Sequence, residues 1–289
     1  MLQLGYMSAF NTHEVLDLSV IIPFKDHSDL TVPCLDTLIE YSPSIKEILL
    51  VSNNSTDEEL AAIQEAAKKY SNTRVLEYNH PFNFHKINNW AATKASGSVF
   101  LFLNNDIELT SSSKNIITRM YEKAQEPGIG AVGAVLLYED QKTIQHAGVY
   151  LVPGGTADHL YIGKKLVDVK KKIVKKDYFY DITKNMPVAA VTAAAVMVSR
   201  DNFLEINGFN EDFIICGGDV DFCLRLLRKG KQNILIGADN GYMIHKESKT
   251  RSLVNVPYVD FLESYKSYIQ CFDTIQGDQL INWKKMPHD

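Results

Sequence analysis

The chain is short of several features that define other classes of protein. It has four cysteines in 289 residues and no C-x-x-C pair, so we expect reduced thiols rather than disulfides or a zinc site. No apolar run reaches the roughly 18–20 residues that a membrane-spanning helix needs. Basic residues are not in excess, since the net charge is −5 and the isoelectric point about 5.9, and we expect no nucleic-acid partner. Residues 1–17 lack the basic start and apolar stretch of a signal peptide, which favours a cytoplasmic protein.

Glycine is absent from the place where common nucleotide-binding loops need it. The continuous apolar run Leu18–Phe24 is typical of a strand covered on both faces, and the segment "PFKDHSD" that ends it has no glycine. A dinucleotide-binding domain needs G-x-G-x-x-G at this point, and a P-loop needs G-x-x-x-x-G-K-[ST]. The segment argues against both, and against a sugar-nucleotide pyrophosphorylase with its glycine-rich loop. It favours a fold that binds a nucleotide base at strand ends and its phosphates through a metal.

Strand and helix patterns alternate through the first hundred residues. Helical patterns lie between strand-like segments at 18–24, 46–52, 73–78 and 98–104. The first helix has Pro33 near its first turn, and Ser55 with Glu58 has the capping-box spacing that opens the second helix. This order predicts a largely parallel sheet with right-handed crossovers.

Three of the predicted strands end in polar segments. These are Pro23-Phe24-Lys25, Ser52-Asn53-Asn54 and Asn104-Asn105-Asp106. In parallel sheets, ligands bind beyond the carboxyl ends of the strands. We therefore expect the three segments to converge on one crevice.

The second half of the chain has a different pattern. Strand-like segments lie at 129–138 and 144–152, and a helical pattern at 219–230 ends at Gly230, a suitable C-terminal cap. A tyrosine-rich amphipathic helix is predicted at about 257–275. We expect this half to complete the crevice rather than to form an independent domain.

Seven stretches, taken in order, resemble the family-two inverting glycosyltransferases of the type A fold, especially bacterial enzymes that build surface polysaccharides such as O-antigen and capsule. They cover most of the chain from Leu18 to Arg251: "LSVIIPFKD", "ILLVSNNSTDE", "PFNFHKINNWAATKASGSVFLFLNNDIEL", "IGAVGAVLLYEDQKTIQHAGVYL", "TAAAVMVSRDNFLEINGFNEDF", "GGDVDFCLRLLRKG" and "IHKESKTR".

The resemblance implies an α/β chain with the glycosyltransferase type A fold. This fold is a Rossmann-like, mostly parallel sheet flanked by helices, with a smaller mixed half on the acceptor side. We predict an N-terminal extension at 1–17 and a single glycosyltransferase domain at 18–256. Its nucleotide-binding half is 18–110 and its acceptor and catalytic half is 111–256, followed by a C-terminal helical extension at 257–289.

The resemblance also implies a divalent metal at Asp106 and His245. Asn104-Asn105-Asp106 matches the D-x-D position of the family, and His245 matches a histidine that completes the metal site in many relatives. Carboxylate and imidazole ligands with diphosphate oxygens suit Mn²⁺ or Mg²⁺. The first acid of the motif is Asn104 here. An Asn/Asp turn that closes a strand is the alternative interpretation of these residues.

Asp219 matches the acid that acts as general base in the family, although the glutamate that commonly precedes it is Gly218 here. A carboxylate beside the acceptor hydroxyl would take its proton. Asp221 is a supporting residue, because residues two apart on a helix point in different directions. The alternative interpretation is that both are helix N-terminal acids favoured by the dipole, which readily explains one of them, Asp221.

The remaining site predictions concern the donor and the acceptor. The donor would contact residues at the strand ends and on the third helix, namely Pro23, Phe24, Lys25, Ser52, Asn53, Asn54, Lys86, Asn89, Asn104, Asn105 and Arg251. His146 and Thr192 match segments that line the donor-sugar and acceptor region. Seven lysines within 164–176 form either a solvated loop or a surface for anionic lipid at the inner face of the cell membrane.

The sequence therefore predicts a metal-dependent inverting transferase. It would move a sugar from a UDP- or dTDP-linked donor to a glycan or lipid-linked oligosaccharide. Two alternatives are a degenerate scaffold of this fold that binds nucleotide or glycan without catalysis, and a nucleotidyltransferase, which would release pyrophosphate from a nucleoside triphosphate.

Overall fold

The computed structural model describes residues 15–152, 156–175, 180–246 and 257–272. Its strands in chain order are β1 Leu16–Phe24, β2 Ile45–Ser52, β3 Thr73–Glu77, β4 Val99–Leu103, β5 Ile107–Glu108, β6 Ile129–Ala134, β7 Leu136–Leu137, β8 Ile144–His146, β9 Val149–Val152, β10 Thr156–His159, β11 Met186–Val188, β12 Ala195–Ser199, β13 Gln232–Ile236 and β14 Met243–His245. Its α-helices are α1 Ser28–Tyr41, α2 Asp57–Ala67, α3 Phe84–Ala92, α4 Ile116–Ala124, α5 Leu166–Val174, α6 Arg200–Glu205, α7 Gly218–Arg228 and α8 Tyr258–Cys271.

The main sheet has eight strands in the order β11-β13-β6-β12-β4-β1-β2-β3. Strands β1 to β4 pair in parallel, as the alternating pattern predicts. Strand β12 lies antiparallel between β4 and β6, and β13 then pairs in parallel with β6. Both halves of the chain thus contribute strands to one sheet.

Both faces of the central strands are buried, which explains their continuous apolar sequences. On β1, Ile21 belongs to one hydrophobic core and its neighbours Val20 and Ile22 belong to the other. On β4, Phe100 and Phe102 pack into the first core and Leu101 packs into the second. Side chains alternate across a strand, so each strand supplies both cores and the polar residues are left for the strand ends.

Two predicted details of the helices are wrong. Pro33 lies inside α1, in its second turn, and not near the start, because α1 already begins at Ser28. Thr56, and not Ser55, caps α2, and its hydroxyl accepts a hydrogen bond from the Glu59 backbone N–H at 3.4 Å. The Ser55 hydroxyl instead accepts from the backbone of Asp26, so it serves the loop after β1.

A smaller sheet, β5-β14-β7-β8, lies beside the main sheet. Strand β5 begins directly after Asp106, and β14 ends at His245. The antiparallel pairing sets His245 opposite Ile107, and the Lys246 backbone N–H donates to the Asp106 carbonyl at 3.0 Å. Two residues that are far apart in the sequence are therefore held side by side.

A buried carboxylate joins the amino ends of the central strands. Glu47 on β2 accepts hydrogen bonds from the Ser19 hydroxyl at 2.6 Å and from the backbone and hydroxyl of Ser96, and it pairs with Arg74 at 2.9 Å. Burial by itself raises the pKa of Glu47, but these bonds outweigh it and lower the pKa to about 2. The carboxylate therefore stabilises the folded state in its ionised form.

We predict that Glu47→Gln lowers the free energy of unfolding by about 3 kcal/mol at pH 7, because the stabilisation that lowers the Glu47 pKa from 4.5 to about 2 is lost. The pKa is lower in the folded chain, so this contribution is complete above the unfolded pKa near 4.5 and disappears as the pH falls toward 2. Urea unfolding of both proteins across this range tests the prediction. Glu65→Gln, at an exposed ion pair with Lys68, is the control and should change little. If the free energies of unfolding of wild type and Glu47→Gln differ by the same amount at pH 7 and pH 2.5, the prediction is contradicted.

Candidate active site

Two adjoining pockets lie beyond the carboxyl ends of the parallel strands. The first has a volume of about 530 Å³, and the second, about 330 Å³. They share the lining residues Phe84, Asn104, Ile215 and His245. Both volumes are in the range of small-molecule sites, and the shared wall allows two ligands to meet.

The first pocket brings together most of the predicted strand-end residues. Its lining includes Pro23, Phe24, Lys25, Asn53, Asn104, Asn105, Asp106 and His245. The predicted convergence of polar strand ends on one crevice is thus seen in the structure. The aromatic rings of Phe82 and Phe84 also line this pocket, and the sequence analysis did not select them.

Asp106 and His245 form a buried pair at the base of the first pocket. Each is 5 % exposed, and Asp106 Oδ1 lies 3.1 Å from His245 Nε2. The Asn104 side-chain nitrogen lies 3.5 Å from the same ring nitrogen. A buried carboxylate needs a compensating partner, which the imidazole supplies here.

The pair fits a divalent metal. Two ligand atoms at right angles, each about 2.1 Å from an octahedral metal, are about 3.0 Å apart. This is close to the 3.1 Å between Asp106 Oδ1 and His245 Nε2. A carboxylate oxygen and an imidazole nitrogen suit Mn²⁺, and the carboxylate also suits Mg²⁺. The described residues contain no cluster of three or more metal-ligating side chains.

Asp219 faces the second pocket from the first turn of α7. One carboxylate oxygen accepts a hydrogen bond from the Ala193 backbone N–H at 3.1 Å, and the other accepts from Val220 at 2.9 Å. Asp221 is buried and pairs with Arg225 at 2.7 Å, one helical turn further on. Both acids line the second pocket, and they differ in their partners: Asp221 pairs with a charged side chain, whereas the Asp219 carboxylate accepts from backbone N–H groups.

Asp260 on α8 holds the loop that leads into α7, and the sequence analysis did not identify it. Its carboxylate is 1 % exposed and accepts backbone hydrogen bonds from Ile214, Ile215 and Cys216 at 2.8, 3.0 and 2.9 Å. Phe261 on the same helix lines the second pocket. The only sequence signal for Asp260 is an acid in a first helical turn, which the helix dipole alone would explain.

A histidine pair borders the second pocket. His146 is buried, and its Nδ1 lies 3.2 Å from His159 Nδ1. Burial, with the nearby rings of His159 and His245, lowers the pKa of His146 well below its usual value, so His146 is neutral. His159 and Thr192 line the pocket, whereas His146 does not line it and contacts the His159 ring. The strand pattern gave no signal for His159.

Several predicted donor residues do not line either pocket. Ser52 is buried within β2, and Asn54 donates to the His80 carbonyl at 2.8 Å. Asn89 binds the backbone of Phe209, and Lys86 is exposed on α3. The amide of Asn53, which does line the first pocket, donates to Tyr78 and His80 carbonyls. Arg251 lies outside the described residues.

The lysine-rich segment includes helix α5, which buries Leu166 and Val169 and leaves its lysines outside the core. One of them, Lys170, pairs with Asp239 at 2.6 Å. Lys176 lies outside the described residues. Of the helices in the described ranges, none combines the length and apolarity needed to cross a bilayer.

Comparison with known proteins gives a family match and two sequence relatives. The model of Glycosyl transferase family 2 matches residues 19–179. The O-antigen biosynthesis protein RfbC of Myxococcus xanthus is 37% identical over 255 residues, which are 87% of this chain and 19% of RfbC. The uncharacterized protein y4gI of Sinorhizobium fredii (strain NBRC 101917 / NGR234) is 30% identical over 246 residues, 83% of this chain and 25% of y4gI. The chain thus spans a quarter or less of these relatives' lengths.

Two solved structures show the fold. The crystal structure of GalNAc-T7 with UDP, GalNAc and Mn²⁺ aligns with a TM-score of 0.64 at 13% identity, over 91% of this chain and 51% of that chain. The mannosyltransferase PcManGT from Pyrobaculum calidifontis, in complex with GDP-Man and Mn²⁺, aligns with a TM-score of 0.59 at 14% identity. The alignment covers 91% of this chain and 73% of that chain. The predicted glycosyltransferase type A fold is confirmed.

We predict that Asp260→Asn lowers the free energy of unfolding by about 3 kcal/mol, because a buried amide offers one acceptor oxygen where the carboxylate offers two. Hydrogen exchange should also speed up at the amides of residues 214–216. Urea unfolding and exchange measurements test both effects. Asp212→Asn removes an exposed charge just before this loop and serves as the control. Unchanged exchange at 214–216 in the Asp260 variant would refute the assignment.

Proposed function

Because the chain belongs to glycosyl transferase family 2, we propose that it transfers a sugar from a nucleoside-diphosphate sugar to a glycan hydroxyl, with inversion at the anomeric carbon. One observation carries the proposal: the Asp106–His245 pair and Asp219 face adjoining pockets that share a wall. A single displacement needs this arrangement, with a leaving-group site on one side of the reacting carbon and a base on the other.

We assign the first pocket to the donor. It lies at the carboxyl ends of β1, β2 and β4, where α/β sheets bind ligands, and its volume suits a nucleotide sugar. The two structural neighbours were solved with UDP or GDP-Man, which supports a nucleotide ligand for the fold. Phe82 and Phe84 offer aromatic surface to a base or a sugar ring. UDP- and dTDP-linked donors remain our predicted donors.

Asp106 and His245 would hold Mn²⁺ or Mg²⁺, with Asn104 beside them. Such a metal offsets the negative charge that builds on a leaving diphosphate. Lys25 and Asn105 line the same pocket, where a cation and an amide can bind phosphate oxygens.

Asp219 would act as the general base. Its carboxylate takes the proton of the acceptor hydroxyl as that oxygen bonds to the anomeric carbon, while the bond to the diphosphate oxygen breaks. The hydrogen bond from Ala193 orients the carboxylate toward the second pocket. Thr192 and His159 line this pocket and would contact the acceptor.

The relative in Myxococcus is an O-antigen biosynthesis protein, which supports a role in surface-polysaccharide synthesis and a glycan or lipid-linked oligosaccharide as acceptor. The enzyme would act in the cytoplasm, with the lysines of α5 as a surface for peripheral contact with an anionic membrane. We also propose that the functional unit includes α8, since Asp260 and Phe261 connect that helix to the second pocket.

We predict that Asp219→Asn lowers metal-dependent donor hydrolysis and sugar transfer by roughly 100-fold or more, because an amide cannot accept the proton. Binding of nucleotide should be unchanged, since Asp219 does not line the first pocket. Product release from a panel of nucleoside-diphosphate sugars measures the first effect, and calorimetry measures the second. Asp201→Asn, an exposed acid on α6, is the control. Normal turnover by the Asp219 variant would show that the base lies elsewhere, and a wild-type protein that binds nucleotide without turnover would support the non-catalytic scaffold.

We predict that one of UDP, dTDP, GDP or CDP raises the melting temperature by about 5 °C or more with Mn²⁺ and by much less with EDTA, because ligand binding stabilises only the folded state. Asp106→Ala should remove the metal-dependent part of this shift. Glu108→Gln, two residues away at an ion pair with Lys246, should retain it. A full shift in the Asp106 variant would contradict the metal assignment. Release of pyrophosphate from a nucleoside triphosphate would instead indicate the nucleotidyltransferase.

A further inference from the structure

Gly218 lies against the ring of His85 with no room between them. It is buried in the first turn of α7, directly before Asp219. A Cβ atom at position 218 would lie 2.0 Å from His85 Nε2 and 2.5 Å from Cε1. Carbon atoms in contact are normally about 3.5–4.0 Å apart, so even alanine does not fit beside this ring.

The His85 ring is fixed in place and cannot give way cheaply. It is 1 % exposed, and its Nδ1 lies 3.0 Å from the Phe213 carbonyl, to which only an N–H can donate. The rings of Phe84, Phe209 and Phe213 surround it at centroid distances of 5.5, 5.7 and 6.0 Å. Burial lowers its pKa, although the nearby carboxylates act in the opposite direction, so the ring is neutral near pH 7. Nε2 therefore faces Gly218 without a proton.

The first turn of α7 is also confined from the other side. Gly217 has φ +83°, and a Cβ there would lie 2.5 Å from the Ser264 hydroxyl of α8. The two glycines thus allow the start of α7 to fit between the His85 ring and α8. This placement sets where the next residue, Asp219, enters the second pocket.

We propose that His85 is a positioning residue for Asp219, and that its ring occupies the space that the glutamate of related motifs would need at position 218. The missing glutamate and the presence of His85 are then two sides of one substitution. In this chain the His85 ring fixes the position of the first turn of α7, a role that the glutamate side chain would have in related motifs. The inference rests on the proposed function, since it takes Asp219 as the base.

A double-mutant cycle of His85→Ser and Gly218→Glu tests this proposal. Gly218→Glu alone should lower kcat roughly 100-fold, because the turn that carries Asp219 is displaced, with the donor KM changed less than about threefold. The double variant should regain about tenfold or more over Gly218→Glu, because serine leaves room for the glutamate. If the fold-changes in kcat caused by the two substitutions simply multiply in the double variant, the proposal is overturned.

His85→Asn provides a test that does not depend on a crowded variant folding. Its amide can still donate to the Phe213 carbonyl but leaves the space beside Gly218 empty. We expect kcat, measured well below the melting temperature, to fall about tenfold, while the melting temperature with Mn²⁺ and the preferred nucleotide falls by a few degrees because the ring leaves a cavity. If kcat falls only at temperatures where the variant begins to unfold, the ring has a purely structural role, and the proposal that it positions Asp219 is refuted.

The outcomes separate this inference from the proposed function. A wild-type protein without metal-dependent turnover would contradict the function itself, and an active Asp219→Asn variant would place the base elsewhere and so remove the premise of this inference. An active wild type and inactive Asp219→Asn, together with unchanged kcat in His85→Asn and no recovery in the double variant, would leave the function standing and reject the role of His85.

Discussion

The pairing of β5 with β14 is the constraint on which the candidate site depends. Asp106 leaves the end of β4, the middle of the main sheet, and His245 arrives from a strand near the end of the described fold. The ladder between the two short strands holds the carboxylate and the imidazole 3.1 Å apart while both are buried. A buried acid is costly without a partner, so correct assembly of the small sheet and correct formation of the site are the same event.

The sequence predicted the elements whose signal is local. Strands β1 and β4 are continuous apolar runs because both faces are buried, and the polar segments after them had to lie at one edge of a parallel sheet. The helix start at Thr56 was missed by one residue, because the Ser55 hydroxyl has a partner in the loop after β1 that is distant in sequence. Hydroxyl residues next to each other offer equivalent caps, and only the tertiary fold decides between them.

The residues that sequence reasoning missed act through long-range contacts. Asp260 and His159 line the second pocket, and each is held by a contact with a separate segment, residues 214–216 for Asp260 and His146 for His159, that the local pattern does not specify. Gly218 was recognised as a departure from the family motif, but the ring against which it packs, His85, lies more than a hundred positions earlier in the chain. Conversely, Asn54 and Asn89 match family positions, and their amides bind backbone in this chain. The position of a residue in a motif predicts its place in the fold better than it predicts the atoms that its side chain contacts.

Asp260 has a consequence for synthesis on the ribosome. The strands of the described fold precede it in the chain, so they can emerge and pair before α8 exists. The three backbone amides of residues 214–216 receive their carboxylate only when residue 260 has left the exit tunnel. The nascent protein can therefore form its sheets before the loop at 214–216 is fixed, and a chain still attached to the ribosome at that stage holds Asp219 in the first turn of a helix whose preceding loop is unanchored.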